Sequence, residues 1–551
     1  MARGSWARDA VIYEVYIRSF ADADGDGIGD LLGVASRLDY LADLGVDALW
    51  LTPFYPSPMV DGGYDVADYR GVDATLGTLS DFDKLLVEAH SRGLRVLIDL
   101  VPNHCSDRHE WFQAALHAGA GSQERARFWF RPGRGTEGEL PPNNWQSIFH
   151  GPAWTRVPDG EWYLHLFAPE QPDLNWEHPG VRAEFESVLR FWLDRGVDGI
   201  RIDVAQGLVK APGLPDAVPA GPVMLVGDET PFFDQDGVHD IYRQWRSILD
   251  TYAPERIAVA EAWLSNPSRA ARYVRPDELH QAFNFDFLGA PWSGPDYRRV
   301  IDASLEVMGS VGAPTTWVLS NHDVVRHASR LAAGVGGTAG GAGAAGGAAA
   351  LADPALGLRR ARGATLLMLA LPGSVYLYQG EELGLPEVFD LPAAARQDPV
   401  FARTRGAELG RDGCRVPLPW TGVQAPYGFG PEGSLPWLPQ PDSWADLSVA
   451  AQTSDATSTL SLYARALGLR RALASLRDGE LIWHSGPSDE LLVFERPARN
   501  GEPGIVCALN QGATAAPVPR GEPLIASGPL RDDGLLPPDT AGWWGAPSPS
   551  I

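Results

Sequence analysis

The sequence predicts an α/β fold: a (β/α)8 TIM barrel with a small domain inserted after the third strand and a C-terminal antiparallel β-sandwich domain. The chain has 551 residues, more than a single hydrophobic core of roughly 250 to 300 residues accommodates. Eight short runs rich in β-branched and aromatic residues alternate with longer stretches of helical periodicity, which indicates a parallel sheet with helical crossovers. Eight such units close into a barrel that carries its functional residues at the carboxyl ends of the strands.

The local patterns place the individual elements of this barrel. The eight predicted strands are 11–20, 48–54, 95–101, 199–204, 257–263, 283–287, 316–319 and 374–378. Between them, apolar residues recur at three- and four-residue spacing, for example over 79–92 and 182–195. This spacing predicts amphipathic helices that cover the barrel.

Longer segments interrupt or follow the barrel. The stretch after the third strand is too long for one helix and is rich in Pro, Gly and Trp, and short alternating runs begin after residue 478. We therefore assign 1–104 and 176–478 to the barrel, 105–175 to an inserted domain B and 479–551 to a C-terminal β domain. Within the barrel, 385–454 forms an excursion after the eighth strand, and the Gly/Ala-rich stretch 334–353 predicts a mobile loop after the seventh.

Composition and charge narrow the class of protein. A net charge of −25 argues against a nucleic-acid partner, and the absence of an apolar run of about 18 residues argues against a membrane partner. The first residues lack the apolar stretch of a signal peptide, and Cys105, Cys414 and Cys507 are widely scattered, so we expect reduced thiols in the cytoplasm. Neither Lys84 nor Lys210 belongs to a Gly-rich phosphate loop, and we expect no organic cofactor. Monomer and homo-oligomer both stay open.

Four carboxylates stand at or just after predicted strand ends: Asp99, Asp203, Glu261 and Asp323. Their apolar flanks place them in the mouth of the barrel, where burying so many acids requires partners or a chemical task. Arg201 precedes Asp203 by two residues and so points to the same side of its strand. We expect Arg201 to keep Asp203 ionised.

The segments that carry these acids resemble a known family. DLVPNH, GIRIDV, EAW and LSNHD resemble, in the correct order, the four signature regions of glycoside hydrolase family 13, the α-amylase family. QPDLNW (171–176) and QGEELG (379–384) resemble segments of its oligo-1,6-glucosidase and α-glucosidase branch. The resemblance covers nearly the whole chain and implies a retaining glycoside hydrolase that acts on α-glucosides.

The resemblance also implies roles for the three acids. It makes Asp203 the nucleophile, Glu261 the general acid/base and Asp323 the carboxylate that holds sugar hydroxyls in the transition state. Double displacement requires one ionised and one protonated carboxyl group about 5 to 5.5 Å apart. We expect Arg201 to favour the charged form of Asp203, and the apolar neighbours of Glu261 to favour its protonated form.

The resemblance further implies a pocket for the non-reducing glucose. Its residues are Tyr64, Asp65, His104, His322 and Arg326, and Asp65 and Arg326 are expected to form an ion pair that closes the pocket bottom. Either histidine, taken alone, also fits a core residue bonded to a carbonyl. Phe167 and Tyr64 are candidates for stacking on sugar faces, with core packing as the alternative for Phe167. A pocket closed at one end implies release of single glucose units from chain ends.

The segment DADGDGIGD (22–30) has acids at a spacing that partly matches a calcium loop. Gly33 stands where such a loop has its bidentate Glu, so the match is incomplete, and an acidic solvated turn is the alternative. The resemblance implies a structural Ca²⁺ or Mg²⁺. Its ligands would be Asp22, Asp24, Asp26, the carbonyl oxygen of Ile28 and Asp30.

Linkage preference depends on the residues after Asp203. Val204 often accompanies α-1,6 cleavage in relatives, whereas the string DVAQGLVKAPGLPD resembles bacterial maltases. Gln206 stands where many relatives have His, which leaves acceptor recognition open. We predict an exo-acting α-glucosidase for short α-1,4-linked gluco-oligosaccharides such as maltose, with isomaltose hydrolysis, sucrose hydrolysis and transglucosylation as alternatives. A non-catalytic binding homologue is disfavoured because all three acids are present.

Overall fold

A closed parallel barrel forms the centre of the molecule. The computed structural model describes residues 6–218, 230–264, 266–333, 353–519 and 521–546. The barrel strands are Val11–Val15, Ala48–Leu51, Arg95–Leu100, Gly199–Ile202, Ile257–Ala260, Gln281–Ala282, Thr316–Val318 and Ser374–Tyr378. The first strand pairs with both the second and the eighth, and a parallel bridge from Phe283 to Thr316 joins the sixth to the seventh. The predicted (β/α)8 barrel is thereby confirmed.

Two strand predictions differ most from the structure: the first, 11–20, ends at Val15 because Ile17–Ser19 is a 3-10 helix, and the sixth, 283–287, is misplaced. The sixth strand comprises Gln281–Ala282, and Phe285–Gly289 is a helix. The Asn284 side chain accepts the N–H of Phe287 at 3.0 Å, which is the N-cap contact that begins a helix. Phe285 stacks on Trp263 with ring centroids 3.5 Å apart. The N-cap contact and the ring stacking therefore outweigh the β propensity of these aromatic residues, and the backbone is helical here.

Helices surround the barrel. They are Leu31–Ala35, Leu38–Leu44, Leu79–Ser91, Glu110–Ala118, Pro179–Asp194, Val238–Leu249, Pro267–Arg272, Phe285–Gly289, Gly294–Ser310, His327–Arg330, Pro354–Ala370, Pro399–Arg403, Val449–Thr453 and Thr459–Ala472. The helices predicted over 79–92 and 182–195 are confirmed. The first begins at a capping box between Thr78 and Asp81, and the second begins with Pro179 after the N-cap His178.

A small antiparallel sheet follows the third barrel strand. Its strands are Phe130–Pro132, Trp154–Arg156 and Glu161–Leu164, with the last in the centre. Bridges from His104 to Asp173 and from Phe128 to Leu174 return the chain to the barrel. The insertion therefore stands beside the carboxyl end of the third strand, next to the residues predicted to form the site.

The C-terminal region is antiparallel. A five-stranded sheet has the order Ile482–His484, Leu491–Arg496, Ile505–Asn510, Thr540–Gly545, Pro523–Ala526, and Ala516–Pro517 pairs with Leu535–Leu536 in a second sheet. Trp543 donates its indole N–H to the carbonyl of Leu366 at 3.0 Å, so this β domain packs on the helix Pro354–Ala370. The C-terminal antiparallel β domain is confirmed.

Other predictions meet the structure only in part. Residues 334–352 of the predicted mobile loop lie outside the described residues. No helix in the described part of the chain is long and apolar enough to cross a membrane. Cys105, Cys414 and Cys507 are buried free thiols, while the cytoplasmic location stays a prediction.

Candidate active site

One guanidinium joins three carboxylates at the carboxyl end of the barrel. Arg201 Nη1 contacts Asp99 Oδ1 at 2.9 Å and Asp203 Oδ1 at 2.6 Å, and its Nη2 contacts Glu261 Oε2 at 2.9 Å. Asp99 and Arg201 are paired across neighbouring parallel strands, and all four side chains are buried. Three of the four predicted strand-end acids are thus brought together around one cation.

Glu261 has polar surroundings, contrary to the expectation of an apolar environment. Its Oε2 accepts the backbone N–H of Val204 at 2.9 Å, and its Oε1 accepts the indole N–H of Trp263 at 2.8 Å. With Arg201, three N–H donors fix the carboxyl group. These donors could not be predicted from the strand sequence. The N–H of Val204 comes from the end of the neighbouring strand, and the direction of the Trp263 indole depends on tertiary packing.

Burial dominates the protonation of this cluster. It raises the pKa of Asp203 well above its usual value although Arg201 lowers it, and it raises the pKa of Asp99 to about 7. The expectation that Arg201 holds the pKa of Asp203 low is therefore wrong for the free enzyme, since desolvation and two neighbouring acids outweigh one cation. Burial and the neighbouring acids therefore favour the protonated forms of Asp99 and Asp203, while Arg201 opposes both shifts.

Asp323 has a different electrostatic environment. Its Oδ1 accepts from Arg411 Nη1 at 3.0 Å and from Arg415 Nη2 at 2.9 Å, and His322 Nε2 lies 3.3 Å from its Oδ2. Burial alone would raise the pKa of Asp323, but the neighbouring cations Arg411 and Arg415 outweigh burial and hold that pKa well below its usual value. Asp323 is therefore ionised throughout the neutral range.

His322 is oriented by neighbours on three sides. Its Nδ1 pairs with Glu14 Oε1, and its ring stacks on Tyr16 and Tyr64 at centroid distances of 5.7 and 5.2 Å. Burial lowers the pKa of His322 well below its ordinary value, so the ring is neutral. Nε2 is buried and has no hydrogen-bond partner, which leaves it available to a hydroxyl group of a ligand.

His104 lies where the inserted domain returns to the barrel. Asn103 Nδ2 is 3.1 Å from its Nδ1, and Gln171 Nε2 is 3.2 Å from its Nε2. Burial lowers the pKa of His104 to about 4, so this ring is neutral as well. The Phe167 ring lies 4.9 Å from the His104 ring and is 5% exposed; its contact with a sugar stays a prediction.

The structure does not form the predicted ion pair between Asp65 and Arg326. Asp65 accepts the backbone N–H groups of Val60 and Asp61 at 2.9 and 3.0 Å, so its carboxylate stabilises the local turn. Arg326 donates to the carbonyls of Gln379 and Cys414 at 2.8 and 2.7 Å. Each side chain is satisfied by its own surroundings, and neither appears in an ion pair within the described part of the chain.

In place of the predicted pair between Asp65 and Arg326, the structure has an ion pair between Asp61 and Arg411. Its Nη2 lies 2.6 Å from Asp61 Oδ1, its Nη1 contacts Asp323, and its Nε lies 2.5 Å from Asp398 Oδ2. Asp61, Arg411 and Arg415 were not predicted from the sequence. Asp61 lies only four residues before Asp65, but the two arginines belong to the irregular excursion after the eighth strand, where no periodic pattern marks them.

Three of the four loop aspartates converge. Asp22, Asp24 and Asp30 place one carboxylate oxygen each within 4.8 Å of the others, and such hard oxygen donors suit Ca²⁺ or Mg²⁺. The Asp26 side chain accepts the N–H of Ile28 at 2.7 Å and is not part of this triad. The carbonyl of Ile28 stays a prediction as a ligand.

Comparison with known proteins agrees with this geometry. Residues 14–479 match the family described as "Alpha amylase, catalytic domain". The chain is 38% identical over 549 residues to a probable alpha-glucosidase of Rhizobium meliloti (strain 1021), covering 95% of this chain and 93% of that protein. It is 32% identical over 498 residues to an oligo-1,6-glucosidase of Parageobacillus thermoglucosidasius, covering 85% and 84%.

A solved structure is similar over the whole length. The crystal structure of the alpha-glucosyl transfer enzyme XgtA is 34% identical, with a TM-score of 0.85, and the match covers 99% of this chain and 100% of that one. The similarity therefore extends through the barrel, the insertion and the C-terminal β domain.

Proposed function

The chain belongs to the α-amylase family of glycoside hydrolases, and we propose that it is a retaining, exo-acting α-glucosidase. Its substrates would be short α-1,4-linked gluco-oligosaccharides such as maltose, from whose non-reducing ends it releases glucose. The observation that carries the proposal is the single Arg201 guanidinium, which contacts both Asp203 and Glu261 within 3 Å. Two carboxyl groups held this close suit double displacement at one anomeric carbon.

In this proposal the reaction has two balanced steps. Asp203 attacks C1 of the bound glucose while the C1–O glycosidic bond breaks, and Glu261 protonates the departing oxygen. In the second step Glu261 takes a proton from water, the water oxygen bonds to C1, and the bond between C1 and Asp203 breaks. Two inversions at C1 retain the α configuration.

The neighbouring groups would bind the sugar. Asp323, ionised by Arg411 and Arg415, is suited to accept hydrogen bonds from two hydroxyl groups, and these bonds strengthen as positive charge develops on the ring. The free Nε2 of His322 offers a further contact. The ion pair between Asp61 and Arg411 supports a pocket closed at one end, which favours removal of terminal glucose.

Linkage and acceptor are finer questions on which the relatives differ. Val204 adopts φ 44°, and its N–H donates to Glu261, so its side chain is fixed beside the acid/base group. The similarity to an oligo-1,6-glucosidase supports isomaltose as an alternative substrate, and that to a glucosyl transfer enzyme supports a sugar acceptor in place of water.

Initial rates on maltose, isomaltose, sucrose and trehalose, with products followed by proton NMR, test the proposal. We expect maltose to be hydrolysed at least about tenfold faster than the others, with α-glucose appearing before mutarotation. The Asp203→Asn variant is the matched control and should release no glucose. β-Glucose as the first product, or no hydrolysis of any of the four by the folded protein, would contradict the proposal.

For the aspartate loop, we propose a structural Ca²⁺ or Mg²⁺ held by Asp22, Asp24 and Asp30. The loop is tied to the excursion, since Asp22 N–H donates to the carbonyl of Phe429 at 2.7 Å and Trp437 N–H to that of Gly27 at 2.9 Å. A bound cation would neutralise the converging acids. Chelation should therefore lower Tm, and restored Ca²⁺ should reverse the change; an unchanged Tm after proven removal of the metal would contradict a structural role.

A further inference from the structure

A cavity of about 140 Å³ lies at the end of the barrel opposite to the candidate active site. Val11 and Arg95, the first residues of the first and third barrel strands, line it. The charged residues in its wall are Asp9, Asp47, Arg95, Arg470, Arg471 and Arg477. Four arginines thus face one cavity in a chain whose net charge is −25.

Three of these guanidinium groups have no carboxylate partner. Arg95, Arg470 and Arg477 form no ion pair with any described residue. The Arg95 guanidinium lies over the Trp6 ring at 4.5 Å, and its N–H groups have no acceptor among the described residues. Within the same part of the chain, the side chain of Arg477 donates only to the carbonyl of Arg471, at 3.0 Å.

Arg470 is the buried member of the group. It is 3% exposed, and its terminal nitrogens donate to backbone carbonyls, among them those of Leu369 and Leu371. Its Nε is buried without a hydrogen-bond partner, and an unpaired buried donor is costly. Burial lowers the pKa of Arg470 to about 10, although Asp9, Asp47 and Asp478 act in the opposite direction.

The nearby acids leave most of this positive charge uncompensated. Asp47 accepts the N–H of Val11 at 2.8 Å and lies 3.8 Å from Arg471. Asp478, next to Arg477, pairs with Arg8 at 2.9 Å. Asp9 is the remaining carboxylate in the wall. Four cations against two acids make the cavity electropositive, and guanidinium N–H groups match tetrahedral oxyanions in geometry.

We propose that this cavity is a binding site for a phosphate-class oxyanion, either inorganic phosphate or the phosphate group of a small ester. Arg95 and Arg477 supply the free donors, and Arg470 adds buried positive charge to the wall. The site lies at the amino ends of the strands, away from the residues of the proposed reaction, so the anion stabilises the fold and takes no part in glycoside hydrolysis. The inference is independent of the proposed activity.

Titration calorimetry at fixed ionic strength tests the proposal. Inorganic phosphate and glycerol 3-phosphate are the probes, and chloride and glycerol are the blanks. We expect one saturable site for at least one probe in the native protein, and at least tenfold weaker binding to the Arg95→Gln/Arg477→Gln variant. Arg299→Gln is the matched control, because Arg299 is an exposed helical arginine far along the chain from this wall; it should bind as the native protein does.

The variants must be shown to fold. An unchanged far-UV circular dichroism spectrum and a cooperative thermal melt provide that check. Arg477→Gln alone, with at least threefold weaker binding expected, replaces the double variant if the latter is unstable. No saturable binding of either probe to the native protein, or equal affinity in native and folded variant proteins, would overturn the proposal.

Discussion

Arg201 fixes the relative position of the two carboxyl groups on which the proposed reaction depends. Its planar guanidinium contacts Asp203 through one terminal nitrogen and Glu261 through the other, and such a fork is rigid. Asp99, bound to Tyr64 Oη at 2.9 Å, holds the guanidinium from a third direction. The reacting groups are therefore positioned before any substrate binds, which is the arrangement that lowers a barrier without reorganisation.

The role of Glu261 can be separated from that of its neighbours by the leaving group. In Glu261→Gln, we expect kcat/KM on maltose to fall by about 10³-fold, within the usual range for a lost general acid. On a dinitrophenyl α-glucoside the first step should fall far less, because that leaving group departs without protonation. Steady-state and burst kinetics on both substrates provide the measurement, and equal losses on both would contradict the assignment.

Asp61 and Asp65 form a natural matched pair. Asp61 pairs with Arg411, whereas Asp65 accepts the backbone N–H groups of its own turn and forms no ion pair with any described residue. We expect Asp61→Asn to lower kcat/KM by about 10²-fold, since it breaks the link between the pocket and Asp323. Asp65→Asn should lower Tm with kcat/KM changed less than about fivefold. Kinetics and thermal melts of both variants measure these effects. A large loss of kcat/KM in Asp65→Asn with little loss in Asp61→Asn would show that Asp65, and not Asp61, is the pocket residue.

At the scale of elements, the barrel strands and the excursion contribute different parts of the site. Strand ends place Asp99, Asp203 and Glu261, and the segment after the eighth strand returns Arg411 to Asp323, 88 residues earlier in the chain. The motif residues could be predicted because period-two strands put acids at one end of a barrel. Arg411 could not, because an irregular segment has no periodicity that fixes where its side chains point.

The aspartate loop packs so closely on the excursion that a glycine-to-alanine substitution in the loop tests the contact. Gly27 has φ +93°, and a Cβ there would lie 2.1 Å from the carbonyl oxygen of Leu435; Gly25 has φ +87° and meets only Pro431 at 3.5 Å. Either substitution to Ala puts a Cβ on a left-handed backbone, which costs roughly 1 kcal/mol of stability. Only Gly27→Ala also forces the backbones apart.

We therefore expect Gly27→Ala to lower the free energy of unfolding by about 2 kcal/mol more than Gly25→Ala does. Urea unfolding of the two variants side by side measures the difference. Equal losses would show that the excursion does not pack on this loop as described.

For the whole molecule, buried acids set the dependence of stability on pH. Burial raises the pKa of Asp65 to about 6, of Asp99 and Glu387 to about 7, and of Glu381 to about 8. The unfolded chain loses these protons near pH 4. At these four groups the folded state thus binds more protons between about pH 4 and 8, and the stability they contribute is present below pH 4 and is lost as pH rises through 6 to 8.

Burial lowers the pKa values of His104, His165, His280 and His327, so these histidines add stability as pH rises to about 6.5. Above that pH the acids alone remain, and we expect the free energy of unfolding to fall by at least about 1 kcal/mol from pH 7 to pH 9. Glu387→Gln removes one titrating group and should make the decline shallower. Urea midpoints across this range measure both, and a native midpoint that is flat or rises with pH would contradict these protonation states.

The whole fold was more predictable than its long-range contacts. Seven barrel strands, the insertion and the C-terminal β domain follow from periodicity and turn composition, while the helix at Phe285–Gly289 depended on a cap and on ring packing. The net effect of burial on Asp203 was likewise hidden, since desolvation depends on everything around a side chain and not on its neighbours in sequence.

The central claim is that Asp203 forms a covalent bond to C1 of glucose. Glu261→Gln treated with a dinitrophenyl α-glucoside should accumulate this intermediate, because the first step needs no acid and the second lacks its base. Proteolysis and mass spectrometry should find one hexosyl group on the peptide that contains Asp203. A hexosyl group on any other residue, or rapid turnover with no adduct, would contradict the account.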